Sequence, residues 1–348
     1  MHTRLERAAA SLVAVVALAA GSAAGASAPR VPGTIAFSAD NQIFLARNGK
    51  TTQLTRDKPG VVGIAWSPDG SRLLAWRYRR VPAIWVVNSD GSIGARVASD
   101  VAGEPRWSPD GTRVAFQRGS YGRGRTGRAI YVAGADGRHL RRVANNAMPS
   151  NDRGGFDWSP DGARLVYFGM VRGRHALFVV STSGEAPRPA VPIVLFQPGA
   201  PGGGDPAWSP DGSTIAFEVG LDIALVNPDG TGLRGLKAPG YVYLPIWSPD
   251  ASKLAFAGSN SNYVIDANGT GLKRLPARLC KNPWPGWAQR LSWSPDGSMI
   301  AYSGGTGPES CNKLAGIYVE KLDGSTPTLV AHSPTVQYSR PLWRPARR

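Results

Sequence analysis

The sequence predicts an all-β fold, a seven-bladed β-propeller whose blades are four-stranded antiparallel sheets, and three observations support this. The 348 residues include 43 glycines and 29 prolines, which recur at intervals too short for long helices. Hydrophobic residues make up 42% of the chain, enough to form a core and to exclude a disordered protein. A Trp-Ser-Pro-Asp motif recurs along the chain, and strand-like apolar runs and tight-turn pairs follow it.

The N-terminal residues precede this repeat and are typical of a secretory signal peptide. Arg4 and Arg7 are followed by an apolar run over 8–20 and then by small residues. The run is shorter than the roughly 20 residues that span a membrane. We expect cleavage after Ala26, with cleavage after Ala28 as the alternative. The mature chain is then exported, to the periplasm or the extracellular medium, without a transmembrane segment.

The motif marks the repeating unit. Its seven copies are on average about 46 residues apart, a period typical of repeat architectures. Each complete unit contains a first apolar run such as Val114-Ala115-Phe116, a second such as Ile130-Tyr131-Val132, and a turn pair such as Asp136-Gly137. The copies start at Trp66, Trp107, Trp158, Trp208, Trp247 and Trp293, with a degenerate Trp-Arg-Pro at Trp343.

Turn chemistry converts each unit into a blade. In Ser-Pro-Asp-Gly the proline presets φ and the glycine supplies the left-handed residue, and Asp-Gly or Asn-Gly closes the next hairpin. A four-stranded meander with two apolar faces must pack radially against its neighbours, and the repeated tryptophan is then a wedge between blades.

Both ends of the repeat predict how the ring closes. The repeat begins with a second strand at Ile35 and ends with a first strand at Trp343, so the C-terminal strand completes the N-terminal blade. Residues 31–348 then form one propeller domain of seven blades, with six blades as the alternative if the N-terminal segment packs otherwise.

With these motifs the sequence resembles the TolB-type β-propellers over residues 31–348. The six Trp-Ser-Pro-Asp motifs and the Ile-Ala-Phe-like and Ile-Tyr-Val-like runs carry the resemblance. TolB has an additional N-terminal domain and the propeller peptidases have a C-terminal hydrolase domain, and we expect neither here because the blades occupy the mature chain. The resemblance specifies the fold and leaves the function open.

Residues suited to catalysis are sparse. There is no Gly-x-Ser-x-Gly nucleophile motif, and the four histidines lack metal-ligand spacing, whereas propeller lyases similar to this family use a His-rich metal site. We therefore predict no catalytic residue, no metal and no cofactor. The alternative is a hydrolase or lyase acting on oligosaccharides or small substrates at the central channel. The repeated turn aspartates should cap backbone N–H groups rather than bind a cation at the ring centre: Asp69, Asp110, Asp161, Asp211, Asp250 and Asp296.

Binding is predicted on one face of the disc. The turns after first and third strands are short, so all long loops lie on the opposite side, which we call the long-loop face. Segments 77–82, 117–129 and 169–175, from three consecutive blades, contain nine arginines and no Asp or Glu. The net charge of +16 favours a protein or an anionic cell-envelope polymer as the binding partner. We expect the chain to be a monomer. Nucleic acid is disfavoured as a partner because the protein is exported. The predicted binding residues are Arg77, Arg79, Arg80, Arg118, Arg123, Arg125, Arg128, Arg172 and Arg174, with Trp284 and Trp287.

The two cysteines predict a disulfide. Cys280 and Cys311 fall in long loops of adjacent blades on this same face, and export supplies an oxidising compartment. The bridge would pin the loop that carries Trp284 and Trp287. Those rings either stack on a sugar or partner or pack as a core beneath the loop.

Overall fold

A computed structural model shows the arrangement of the repeat. The chain divides into residues 1–30 and 31–348. The first unit, which includes the predicted signal peptide, lies outside the described residues. The described residues are 31–39, 41–56, 62–77, 81–119, 128–148, 155–183, 192–196, 204–240, 242–258, 261–275, 291–304, 316–332 and 341–345.

Twenty-eight strands form within these ranges, four to a blade. Blade 1 contains β1 (Thr34–Ala39), β2 (Gln42–Arg47), β3 (Lys50–Gln53) and β28 (Leu342–Trp343); blade 2 contains β4 (Val62–Trp66), β5 (Arg72–Arg77), β6 (Ala83–Asn88) and β7 (Ile93–Ser99); blade 3 contains β8 (Ala102–Trp107), β9 (Arg113–Arg118), β10 (Arg128–Gly134) and β11 (Arg141–Ala147). Blade 4 contains β12 (Phe156–Trp158), β13 (Arg164–Val171), β14 (Arg174–Ser181) and β15 (Pro192–Leu195); blade 5 contains β16 (Gly204–Trp208), β17 (Ile215–Val219), β18 (Asp222–Val226) and β19 (Arg234–Leu236). Blade 6 contains β20 (Val242–Trp247), β21 (Lys253–Gly258), β22 (Asn262–Asp266) and β23 (Lys273–Arg274); blade 7 contains β24 (Ser292–Trp293), β25 (Met299–Gly304), β26 (Gly316–Lys321) and β27 (Thr328–His332).

Every blade is an antiparallel meander, which confirms seven blades and excludes six. Neighbouring strands pair in sequence order in blades 2 to 7, and in the order β28-β1-β2-β3 in blade 1. The sheets of blades 3 and 4 are joined by one pair, Ala147–Gly169. The Ser-Pro-Asp-Gly turns connect first to second strands, as the turn chemistry predicts. No part of the chain that the structure describes is a helix able to span a membrane.

The C-terminal strand closes the ring, as predicted. Trp343 pairs with Ile35 and Leu342 with Ala36, so β28 becomes the innermost strand of blade 1. The Trp66 indole N–H also donates to the Leu342 carbonyl over 3.1 Å, and the Trp343 N–H donates to Ser292 Oγ over 3.1 Å. One short strand therefore bonds to blades 1, 2 and 7.

The core is distributed between the blades. Seven apolar clusters appear among the described residues, one at each interface between neighbouring blades. Both faces of each sheet are covered, which explains why second strands are near-continuous apolar runs rather than alternating ones. Val114, Ala115 and Phe116 are all fully buried, although adjacent side chains point to opposite faces.

The motif tryptophans are wedges between blades, as predicted, and they also form hydrogen bonds. In five of the described interfaces the indole N–H donates to the carbonyl of the residue just before the tryptophan of the preceding blade. The pairs are Trp66 to Leu342, Trp107 to Ala65, Trp158 to Arg106, Trp247 to Ala207 and Trp293 to Ile246. Trp208 departs from the pattern and donates to Gly212 in its own turn.

Candidate functional site

The turn aspartates are structural caps, as predicted. Asp69 accepts the Ser67 hydroxyl over 2.6 Å and the Ser71 backbone N–H over 3.1 Å. The hydroxyls of Ser67 and Ser71 lower the pKa of Asp69 to about 2. The bond from motif serine to aspartate recurs at the five other turns, to Asp110, Asp161, Asp211, Asp250 and Asp296. Each carboxylate therefore acts within its own turn.

A second set of cations, absent from the sequence-based prediction, links blades on the short-turn face. Arg72, Arg113 and Arg164 each occupy the sixth position after a motif tryptophan. Their guanidinium carbons lie 5.0, 5.1 and 4.9 Å from the ring centroids of the next blade's tryptophan. Arg72 also donates to the Gly111 carbonyl over 3.0 Å, and Arg113 donates to Gly162 over 2.9 Å. These arginines hold blades together, so part of the net charge is structural.

Carboxylates near the central channel cap the inner strands. The innermost strand of a blade has one edge without a ladder partner, so its N–H groups need other acceptors. Asp157 accepts the Trp208 N–H over 2.9 Å, and Asp205 accepts the Gly155 N–H over 2.9 Å. Burial raises the pKa of Asp157, although Arg106 at 3.3 Å opposes that rise.

The Glu218 carboxylate likewise accepts a backbone hydrogen bond, from the Leu244 N–H over 2.5 Å. Leu244 has a φ of 55°, a left-handed conformation uncommon for this residue type. Across the described ranges no group of three or more His, Cys, Asp or Glu side chains is arranged to hold a metal ion. The channel acids that are described thus support the ring itself.

The structure places four of the nine predicted arginines on the long-loop face of blades 3 and 4. Arg118 ends β9 and Arg128 begins β10, so the prediction that segment 117–129 is a long loop is wrong at these two residues. Arg118 Nε donates to the Ser99 carbonyl over 3.1 Å, and its guanidinium stacks on Phe116 and Tyr131. The β9–β10 ladder extends to the pair Arg118–Ala129, and the contacts of Arg118 with both rings stabilise this end.

Segment 169–175 forms a tight hairpin instead of the predicted long loop, with Arg172 in its turn and Arg174 directly after the turn. The ladder continues to the pair Val171–Arg174, and Arg172 and Gly173 form the turn with φ values of 48° and 75°. Arg172 is exposed, whereas Arg174 is half-buried and donates from Nε to the Phe196 carbonyl over 2.8 Å.

The remaining predicted site residues lie outside what the structure describes. The backbone of Arg77 ends β5, and its side chain is not described. The others outside the described ranges are Arg79, Arg80, Arg123, Arg125, Trp284, Trp287, Cys280 and Cys311.

Comparison with known proteins agrees with this architecture. No family model and no curated protein matches the chain. Among solved structures, TolB from Acinetobacter baumannii aligns with a TM-score of 0.55 at 18% identity, over 90% of this chain and 67% of that protein. The fold is that of the TolB-type propellers. A functionally unknown protein from Desulfotomaculum acetoxidans aligns with a TM-score of 0.61 at 13% identity, over 89% and 99% of the two chains.

This likeness confirms the fold expected from the resemblance and extends no further at such low identity.

A shallow cavity of about 750 Å³ lies on the short-turn side of this propeller, at blade 3. Arg72, Arg113 and Arg141 line it with Asp136 and His139, and the sequence did not predict it. The guanidinium groups of Arg72 and Arg113 are committed to the inter-blade bonds described above.

One carboxyl group is buried between blades 6 and 7. Glu320 in β26 is 1% exposed, and neither of its carboxylate oxygens has a hydrogen-bond partner among the described residues. It lies two residues after Tyr318, on the strand face that packs against blade 6. Burial raises the pKa of Glu320 to about 7, while Lys273 of blade 6 partly opposes this rise. Burial and the nearby Glu320 also raise the pKa of Tyr302.

Proposed function

We propose that this protein is an exported, non-catalytic propeller that binds an anionic cell-envelope partner through its long-loop face. The observation that carries the proposal is the location of Arg118, Arg128, Arg172 and Arg174 at the same end of two adjacent blades. The second-to-third-strand segments of blades 2, 3 and 4 contain five further arginines and no acidic residue. A face with one sign of charge raises the local concentration of an anionic partner and steers its approach.

Arg118 and Arg174 on this face retain binding capacity. A guanidinium has five N–H donors in a planar fork that matches carboxylate and phosphate oxygens. Arg118 and Arg174 each use one Nε donor on a backbone carbonyl, which orients the group and leaves its terminal nitrogens for an anion. A guanidinium held in place loses less conformational entropy when it binds.

The channel acids favour binding over catalysis. A hydrolase or lyase would need carboxyl groups that can exchange protons with a substrate. Asp157, Asp205 and Glu218 each accept a backbone N–H from a neighbouring strand, so protonating any of them weakens the ring. We therefore retain the binding function as the proposal.

Charge substitutions on opposite faces test this proposal. The triple variant Arg123→Ser, Arg125→Ser, Arg172→Asn removes long-loop charge and spares the bonds of Arg118 and Arg174; asparagine tolerates the left-handed turn position. The control variant Arg47→Ser, Lys50→Ser, Arg138→Ser removes three exposed charges at third-strand turns on the opposite face. We expect the first variant to bind soluble polyphosphate about tenfold more weakly and the control to change binding less, because local charge governs binding. Equal losses would show that only net charge matters.

The disulfide between Cys280 and Cys311 belongs to the same proposal. In an exported chain the two thiols would be oxidised, and closing a loop of about 30 residues stabilises the fold by roughly 3–4 kcal/mol in the chain-entropy view. Thiol titration of the denatured, unreduced secreted protein should find no free thiol. Two titratable thiols would exclude the bridge.

A further inference from the structure

Blade 4 carries a hairpin that projects from the long-loop face. The second strand ends eleven residues after the motif tryptophan in blades 2, 3, 5, 6 and 7, but thirteen residues after it in blade 4. Two extra residues per strand extend the ladder by about 7 Å. Arg172 and Gly173, both with positive φ, close it as a two-residue turn whose twist matches the strands. The hairpin is therefore an ordered projection.

Exposed apolar side chains occur at three tips of this face. Met170 in the projecting hairpin is 40% exposed, and Val81 and Leu221 are each 50% exposed. Val81 lies between β5 and β6 and Leu221 between β17 and β18, whereas Met170 is the second-to-last residue of β13. All three are therefore at the end of a blade where its second strand is joined to its third. Met170 is two residues from Arg172, and Val81 directly follows Arg79 and Arg80 in the sequence.

We propose that this face docks on an anionic lipid bilayer, with Met170 entering the headgroup region while Arg172 binds lipid phosphates. This inference rests on the proposed function and names its partner. A bilayer accepts separate apolar side chains because each inserts independently, and basic residues beside them gain from the negative surface potential. A surface that binds a protein would have a contiguous centre rich in aromatic residues, whereas these three exposed side chains lie on different blades.

Vesicle binding of paired variants tests the lipid proposal. The variant Met170→Gln, Arg172→Asn changes the projecting tip; the control Leu140→Gln, Arg138→Asn makes the same two changes at exposed residues beyond the third strand of blade 3. We expect the secreted wild-type chain to bind phosphatidylcholine vesicles that contain phosphatidylglycerol, and not pure phosphatidylcholine. The tip variant should bind these vesicles about tenfold more weakly than wild type, and about fivefold of that loss comes from removing one arginine near an anionic surface. The control should bind them within about twofold of wild type.

Salt separates the two contributions. Met170→Gln alone should weaken binding at low and high salt, because insertion of an apolar side chain is not screened, while Arg172→Asn alone should matter only at low salt. Equal losses in the tip and control variants would overturn the lipid proposal. If vesicles do not bind but polyphosphate binding still depends on Arg123, Arg125 and Arg172, the partner is a soluble or polymeric anion and only the lipid assignment fails. If polyphosphate binding is also independent of these residues, the proposed function fails too.

Discussion

Deleting residues 342–348 is expected to open the propeller and to destabilise it severely. The deletion removes the pairs of Leu342 and Trp343 with β1, and a Trp343 side chain that is only 5% exposed. It also removes the Arg344 guanidinium, which stacks on Trp66 and donates to the Gly70 carbonyl over 2.6 Å. Loss of a buried tryptophan alone costs about 3–5 kcal/mol. The exposed edge of β1 should then promote association.

Two further variants keep this prediction testable if the deletion does not fold. Trp343→Ala should lower the melting temperature on the order of 5 °C in calorimetry, since a domain of this size shifts by roughly 1–2 °C per kcal/mol. Deletion of residues 346–348 alone keeps the strand and should change the melting temperature little. A monomeric 342–348 deletion with an unchanged melting temperature would contradict ring closure by this strand.

Replacing Glu320 by glutamine is expected to stabilise the protein at alkaline pH. The folded-state pKa of about 7 lies above the ordinary value of 4.5, so folding favours the protonated carboxyl. The stabilisation that the raised pKa of Glu320 contributes is fully present below the pKa of the unfolded chain, and it is lost as pH rises through about 7. Glutamine keeps the shape and stays neutral. The variant should therefore gain about 2–3 kcal/mol over wild type near pH 8 and much less near pH 5.

Urea unfolding of both proteins across this pH range measures the effect. Asp323→Asn is the matched control, because Asp323 is exposed, lies near Lys273, and caps the Ser325 N–H over 2.8 Å, a bond that asparagine can also accept. Its stability relative to wild type should not change between the two pH values. A Glu320→Gln difference that is constant with pH would show that Glu320 does not titrate on unfolding in this window.

Local turn chemistry explains why the blade architecture could be predicted. Ser-Pro-Asp-Gly and Asp-Gly specify their hairpins through φ preferences within four residues, and Ile35 and Trp343 mark where the repeat begins and ends. Ring closure and the tryptophan wedges follow from repetition alone. The turn aspartates could be interpreted correctly for the same reason, since each cap is formed within its own turn.

Most of the features that the sequence did not predict depend on neighbouring blades. Arg72 bonds Gly111 in the next blade, and its only sequence signal is an arginine at one spacing in three units. Glu320 follows an apolar run and resembles an exposed strand end until blade 6 covers it. Segment 169–175 was predicted to be a long loop, but Arg172 and Gly173 close a longer hairpin there. Inter-blade packing, which local periodicity does not encode, determines the roles of Arg72 and Glu320.

Amide hydrogen exchange with and without soluble polyphosphate tests binding by the long-loop face most directly. Exchange should slow in segments 77–82, 117–129 and 169–175, because an anion held by their arginines restrains the backbone that carries them. Exchange at the Ser-Pro-Asp-Gly turns, such as residues 67–71, should be unchanged. Protection that centres on those turns, or that is spread evenly over both faces, would contradict binding through the long-loop face.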